Sequence, residues 1–252
     1  MSEAPRPTRT LCLGEALVDL ICERHVEDLA SAEAFVPRFG GAVANVALVA
    51  ARLGARMALA GGAGEDSWGR WLRGRLVREG VDVSLFRLIE GVQTPLAMVT
   101  VDGGGEPSYE IYGELAPTVV HALGDAVEDA VGSSAALFIS SNTLVGVEER
   151  AVTMRARRCA LELERPVVLD PNIRLHRWSS RADAAASANA AASANACVPG
   201  ALLVRANRFE AAVMTGEEDA ERAALALVKA GARLVVITLG AEGALLGGEL
   251  RA

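Results

Sequence analysis

The sequence predicts an α/β fold. Short apolar runs at residues 11–21, 135–141, 166–169, 201–204 and 234–239 alternate with stretches of helical period such as 42–53 and 148–163. That is the pattern of strands and helices interleaved around a sheet. Several of the runs end abruptly in polar residues. With 252 residues, 51% of them apolar, the chain has material for one large domain or two small ones around a sizeable core.

The first run, 11–21, reads as a buried strand broken at Gly14, and it carries Asp19. A carboxylate in an apolar segment is costly to bury without hydrogen bonds, so Asp19 either lies at the strand's end in solvent or faces a polar ligand. Residues 22–38 turn polar, as an excursion out of the main sheet does. Phe39-Gly40-Gly41 then leads into helix formers, with Ala44, Ala47, Leu48 and Ala51 on one face and Gly54 placed as the C-terminal stop. The two glycines leave no side chain between the backbone and whatever lies above it. Asn45, in the first turn, carries two donors and one acceptor suited to hydroxyls, beside free N–H groups that favour electron-rich atoms. A hinge before a helix packed through alanines is the structural alternative.

Residues 57–64 give a short strand and a Gly-rich turn, and Asp66 follows in the first turn of a helix as a dipole partner. Residues 93–112 alternate in character around a Gly-rich turn, which predicts a hairpin. The helix at 148–163 is arginine-rich, with Arg150, Arg155, Arg157 and Arg158 as a solvated face. The strand at 166–169 ends in Asp170, Asn172 and Arg174, where ligands sit in a parallel sheet, although each residue also suits a turn. Residues 185–190 and 191–196 are identical AASANA copies. A helix there has no large apolar side chain, so a loosely attached or partly disordered helix is expected. Asn207 and Glu210, one helical turn apart, read by themselves as a capping pair. Thr238, Gly240 and Gly243 form T-x-G-x-x-G after a β-branched strand, either a plain hairpin turn or one tight enough for a nucleotide to lie against backbone.

A net charge of -7 and a pI near 5.2 give no electrostatic footprint for nucleic acid. Cys12, Cys22, Cys159 and Cys197 have no metal-ligand spacing and read as reduced thiols, and His25, His121 and His176 are equally scattered. No apolar run is long and charge-free enough to span a bilayer, and residues 1–10 lack a signal core, so a cytoplasmic protein without a membrane partner is expected.

The segment GGAVANVALVAARLG at 40–54 resembles the first signature of the ribokinase-like carbohydrate kinases, in which a Gly-Gly pair and an Asn bind the sugar's hydroxyls. Further motifs follow the family order: GEALVD at 14–19, DPNIR at 170–174, N-x-x-E at 207–210 and T-x-G-x-x-G at 238–243. G-x-D-x-x-G, present as Gly64, Asp66 and Gly69, is taken as scaffold. The D-P-N-x-R segment is similar to that of fructokinases and 2-keto-3-deoxygluconate kinases. The resemblance implies a ribokinase-like three-layer sandwich, with a mostly parallel central sheet and a small β lid from segments at about 22–38 and 93–113, all in one domain over 1–252. It implies that Asp19, Gly40, Gly41, Asn45, Tyr112 and Arg174 bind the sugar in one cleft. It also implies ATP as cofactor, held through Asn207, Glu210, Thr238, Gly240 and Gly243, with Glu210 organising Mg²⁺ and its waters.

Two features depart from the family pattern. Gly113 stands where the nearest relatives commonly follow the tyrosine with an arginine. No G-A-G-D segment, whose amides hold the transferring phosphate and whose Asp is the base, occurs in the sequence. No catalytic residue is therefore assigned, and the chain is expected to be C-terminally incomplete and nearly inert as it stands. The expected activity of the complete form is ATP-dependent phosphorylation of a sugar hydroxyl, with fructose as the leading substrate. The rivals are a 2-keto-3-deoxygluconate kinase and a non-catalytic sugar-binding relic. A small sugar is the expected partner, and a homodimer through the lid the expected assembly.

Overall fold

The computed structural model describes residues 7–105, 107–113, 123–175, 178 and 183–249. His121 and His176 lie outside the described residues. Two compact units form, one from Gly14–Leu123 and the other from Met1–Leu13 with Gly124–Ala252. No helix among the described residues is long and apolar enough to cross a membrane.

Strand β1 (Thr10–Leu13) ends at Gly14, and β2 (Leu17–Cys22) starts a different sheet. The apolar run 11–21 is thus two strands, one in each unit. Within Gly14–Leu123, β3 (Phe35–Gly40) leads into α1 (Ala42–Arg52), then β4 (Met57–Gly64), α2 (Ser67–Arg78), β5 (Phe86–Ile89), β6 (Leu96–Val101) and β7 (Pro107–Tyr112). β4 and β5 are parallel neighbours, and both helices pack on β4 through Ala44, Ala47, Leu48, Leu72 and Leu76. The other strands make a four-stranded sheet in the order β3-β2-β6-β7. One of its faces carries a small apolar cluster of Leu17, Ala97 and Val99 flanked by Ile21 and Ile111. Phe39 lies 6.4 Å from the Trp71 ring, which meets Trp68 edge-on at 5.9 Å.

The second unit continues with α3 (Val127–Gly132), β8 (Ala136–Ser140), α4 (Val147–Glu162), β9 (Val167–Asp170), α5 (Asp183–Asn195), β10 (Leu203–Asn207), α6 (Arg208–Thr215), α7 (Ala220–Lys229), β11 (Leu234–Thr238) and β12 (Ala244–Gly248). Its strands lie in the order β12-β11-β10-β9-β8-β1, all parallel except the last hairpin of β11 with β12. β10 and β11 alternate buried and half-buried residues, so Val204, Ala206, Val235 and Ile237 face the core. This is the α/β architecture with a mostly parallel sheet, and every parallel strand delivers its carboxyl end to the same edge.

The alanine helix differs from expectation. Ala186, Ala190 and Ala194 recur every fourth residue and are buried, Ala190 completely, and Asn195 Nδ2 donates to the Met214 carbonyl at 2.8 Å. α5 packs against α6. Each alanine buries only one methyl, worth about 0.8 kcal/mol, but side chains this small let the helix backbone come close to its neighbour. The buried alanine stripe and the Asn195 bond attach a helix that has no large apolar side chain. The four cysteines are free thiols, and burial pushes Cys12 up to about 12 and Cys197 up to about 11, which keeps both protonated and inert at neutral pH.

Candidate active site

In the unit Gly14–Leu123 the site is built around Asp19. Strand β2 is held on one side by β3, with Asp19 opposite Arg38, and on the other by β6, with Asp19 opposite Ala97. The Asp19 carboxylate is half-buried and has no hydrogen-bond partner among the described residues. Burial pushes its pKa up to about 6. A desolvated, unpaired carboxylate is a group waiting for donors.

Gly40 explains the first half of the diglycine. A Cβ there would sit 2.5 Å from Asp19 Oδ2, so the absence of a side chain is what makes room for the carboxylate. Gly41 has φ +97°, and a Cβ on it would come within 2.7 Å of the Glu15 carbonyl oxygen. It is also the N-cap of α1 and, having no side chain, gives the first N–H groups of the helix no capping acceptor. Asn45 is exposed in that first turn. The fold thus brings Asp19, Gly40, Gly41 and the start of α1 together.

Tyr112 is placed differently. Register puts it in the row of Val18, Phe39 and Leu96, whereas Asp19 stands in the row of Arg38, Ala97 and Ile111. Neighbours in a row share a face, so Tyr112 and Asp19 leave the sheet on opposite sides. The Tyr112 hydroxyl donates to Glu110 Oε2 at 3.0 Å.

In the second unit the parallel strands β9, β10 and β11 end in Asp170, Asn207 and Thr238, and Arg205 lies two residues inside the end of β10. Asp170 Oδ1 accepts the Asn172 N–H at 3.2 Å, an Asx turn, and Asn172 takes the left-handed φ of +43° that asparagine tolerates. Arg205 Nη1 lies 3.4 Å from Asp170 Oδ2 and its Nη2 donates to Thr238 Oγ1 at 3.0 Å. Burial raises the Asp170 pKa, and the charge of Arg205 works against that rise. Glu210 is 1% exposed. Its Oε2 accepts the Asn207 N–H at 2.8 Å while its own N–H donates to Asn207 Oδ1 at 2.8 Å, a complete capping box, and its Oε1 takes the Ile173 N–H at 3.1 Å. Burial also raises the Glu210 carboxyl, with the Asn207 N–H opposing. Arg174 is exposed, and its Nη1 donates to the Ile173 carbonyl at 3.3 Å.

Thr238 leads through a 3₁₀ turn, Gly240–Glu242, into β12, so the T-x-G-x-x-G segment closes a hairpin. Gly240 and Gly243 have φ +62° and +96°, and a Cβ on either would meet nothing within 4 Å. The backbone there is bare on its outer side. Among the described residues no group of three or more His, Cys, Asp and Glu is arranged to hold a metal ion. Asp170, Asn207, Glu210 and Thr238 are nevertheless hard oxygen donors. Both Glu210 oxygens already accept main-chain N–H groups, so a Mg²⁺ ion beside this carboxylate would be held through its waters.

Residues 7–249 match the family described as pfkB family carbohydrate kinase. The chain belongs to that family. It is 29% identical over 231 residues to a probable fructokinase-4 of Arabidopsis thaliana, covering 91% of this chain and 69% of that protein. Among solved structures it is similar to a PfkB protein from Polaromonas sp. JS666, with TM-score 0.83 and 28% identity over 96% of this chain and 80% of the other. It is also similar to a fructokinase from Vibrio cholerae O395 determined with fructose, ADP and a calcium ion, with TM-score 0.73 and 27% identity over 96% and 73% of the two chains.

Two residues of this pfkB-family kinase were not singled out by its sequence. Arg205 is a cation within the apolar segment 201–206, the same signal that drew attention to Asp19, and it links the ends of β9 and β11. Thr94 carries no local signal, because its partners Asp66 and Gly64 come 28 and 30 residues earlier.

Proposed function

We propose that this pfkB-family chain binds fructose and ATP with Mg²⁺, for transfer of the γ-phosphoryl group to a sugar hydroxyl. The observation that carries the reading is the unpaired, half-buried Asp19 carboxylate lying against the side-chain-free backbone of Gly40 and Gly41. Sugar hydroxyls are the donors such a carboxylate lacks, and the uncapped start of α1 beside Asn45 supplies N–H donors for hydroxyl oxygens. The reading gives Arg174 to the sugar and Asn207, Glu210, Thr238, Gly240 and Gly243 to the nucleotide. Tyr112, on the other face of its sheet from Asp19, takes no part.

Mg²⁺, when bound, supplies charge neutralisation to the phosphates. Glu210 holds the N-terminus of α6 and the Asn172–Ile173 turn in place, and Arg205 offers positive charge beside Asp170. Catalysis of this type rests on alignment and electrostatics. The 252 residues contain no G-A-G-D segment, and no base is assigned among them. The chain acts in the cytoplasm and pairs through the β3-β2-β6-β7 sheet, which serves as a lid.

Titration calorimetry with fructose, 2-keto-3-deoxygluconate and a sugar panel, beside coupled ADP release, tests the proposal. Fructose binding that disappears in Asp19→Asn supports it. Fructose binding unchanged in Asp19→Asn, or no binding of any sugar, overturns it. Preference for the keto acid moves the chain to the neighbouring branch.

A further inference from the structure

Gly64, Asp66 and Gly69 form a collar around one side chain. Asp66 caps α2, its Oδ1 accepting the Gly69 N–H at 2.8 Å, and the same carboxylate takes both donors of Thr94: Oγ1 at 2.7 Å and the backbone N–H at 2.7 Å. A Cβ on Gly64 would lie 2.1 Å from the Val92 carbonyl oxygen and 2.7 Å from the Thr94 nitrogen. One on Gly69 would lie 1.9 Å from the Gly64 carbonyl oxygen. Each motif residue is therefore required for the same grip. Burial alone would raise the Asp66 carboxyl, but the donors from Thr94, Gly69 and Trp68 outweigh it and hold the group below its ordinary value. Thr94 is 4% exposed.

The grip has a short route to the sugar-binding carboxylate. Thr94 is followed by Pro95, whose carbonyl accepts the Val18 N–H at 3.1 Å, and Leu96 then opens β6 in register with Val18. The residue after Val18 is Asp19. Among the described residues no hydrogen bond holds the Asp19 side chain, so its position is set by the β2 backbone, which is held by β3 on one side and by Pro95 and β6 on the other. Proline has no N–H and a fixed φ, so Thr94 supplies the polar anchor for this corner. A binding carboxylate displaced by 1 Å loses much of its contribution.

We propose that Asp66 is a positioning residue for substrate binding: by gripping Thr94 it fixes the Pro95 corner on which β2 hangs, and so sets where Asp19 presents its carboxylate. The inference rests on the reading of Asp19 as the sugar-binding group.

Asp66→Asn keeps an acceptor for the Gly69 N–H but turns an amide donor toward the Thr94 N–H. Thr94→Val removes the hydroxyl bond alone, and Thr94→Ser keeps it. Fructose affinity is measured by calorimetry on the 252-residue chain, with folding checked by circular dichroism. The expected result is roughly tenfold or greater weakening in Asp66→Asn, a smaller loss in Thr94→Val, and affinity within about twofold of native in Thr94→Ser. If Asp66→Asn fails to fold, Thr94→Val against Thr94→Ser decides. Folded Asp66→Asn or Thr94→Val protein that binds fructose like the native chain overturns the inference. If Asp19→Asn itself binds normally, or the native chain binds no fructose, the reading of Asp19 fails and the inference with it, a result distinct from failure of the grip alone.

Discussion

Glu210 and Ile173 are 37 residues apart in the chain, yet Glu210 Oε1 accepts the Ile173 N–H at 3.1 Å from a position almost closed to solvent. One buried carboxylate thereby joins the turn after β9 to the first turn of α6. Removing it leaves two main-chain donors, those of Ile173 and Asn207, without acceptors. Glu210→Ala is expected to lower stability by about 2–4 kcal/mol, from the lost capping box and the unsatisfied N–H groups. Urea unfolding followed by circular dichroism measures it.

Asp19 gives the opposite sign. Its folded pKa, about 6, lies above the ordinary 3.8, so the fold favours the protonated form. The contribution to stability is fully present below 3.8 and is lost as pH rises through about 6. Asp19→Asn, which cannot ionise, is therefore expected to be more stable than the native chain at pH 8, by on the order of 1 kcal/mol once solvent screening is allowed for, and to lose that advantage near pH 4. Thermal melts across this range check it, and fructose calorimetry on the same samples shows whether function is lost as stability is gained.

The two glycines ahead of α1 should fail in different ways. Gly40→Ala pushes a methyl into the Asp19 carboxylate, so sugar affinity should fall roughly tenfold or more while the fold persists. Gly41→Ala meets backbone at Glu15 and also requires φ +97°, so its cost should appear as lost stability of about 1–3 kcal/mol. Parallel calorimetry and thermal melts separate the two.

For the alanine stripe of α5, Ala190→Leu is expected to destabilise by about 1–3 kcal/mol, because a completely buried position at close packing has no room for three more carbons. A loosely attached helix would tolerate the change without cost, and urea midpoints distinguish the two.

Local patterns carried much of this architecture in the sequence. The helix after Gly41, its stop at Gly54, the capping pair of Asn207 and Glu210 and the strand ending in Asp170 each depend on residues within one or two turns, and each is found. What needed the structure depends on pairing between distant segments. The face on which Tyr112 stands follows from registering β7 on β6 and β6 on β2, and a one-residue slip would reverse it. Arg205 and Thr94 acquire meaning only through partners 28 to 35 residues away. The AASANA helix departs from expectation because its small side chains at 186, 190 and 194 are buried by segments distant in the chain.

The aromatic trio has a practical consequence. Two of the chain's three tryptophans, Trp68 and Trp71, stand with Phe39 one residue before Gly40, while the third, Trp178, belongs to the other unit. Replacing Trp178 with phenylalanine leaves an unlabelled optical gauge confined to the unit Gly14–Leu123, and its emission follows the melting of that unit alone.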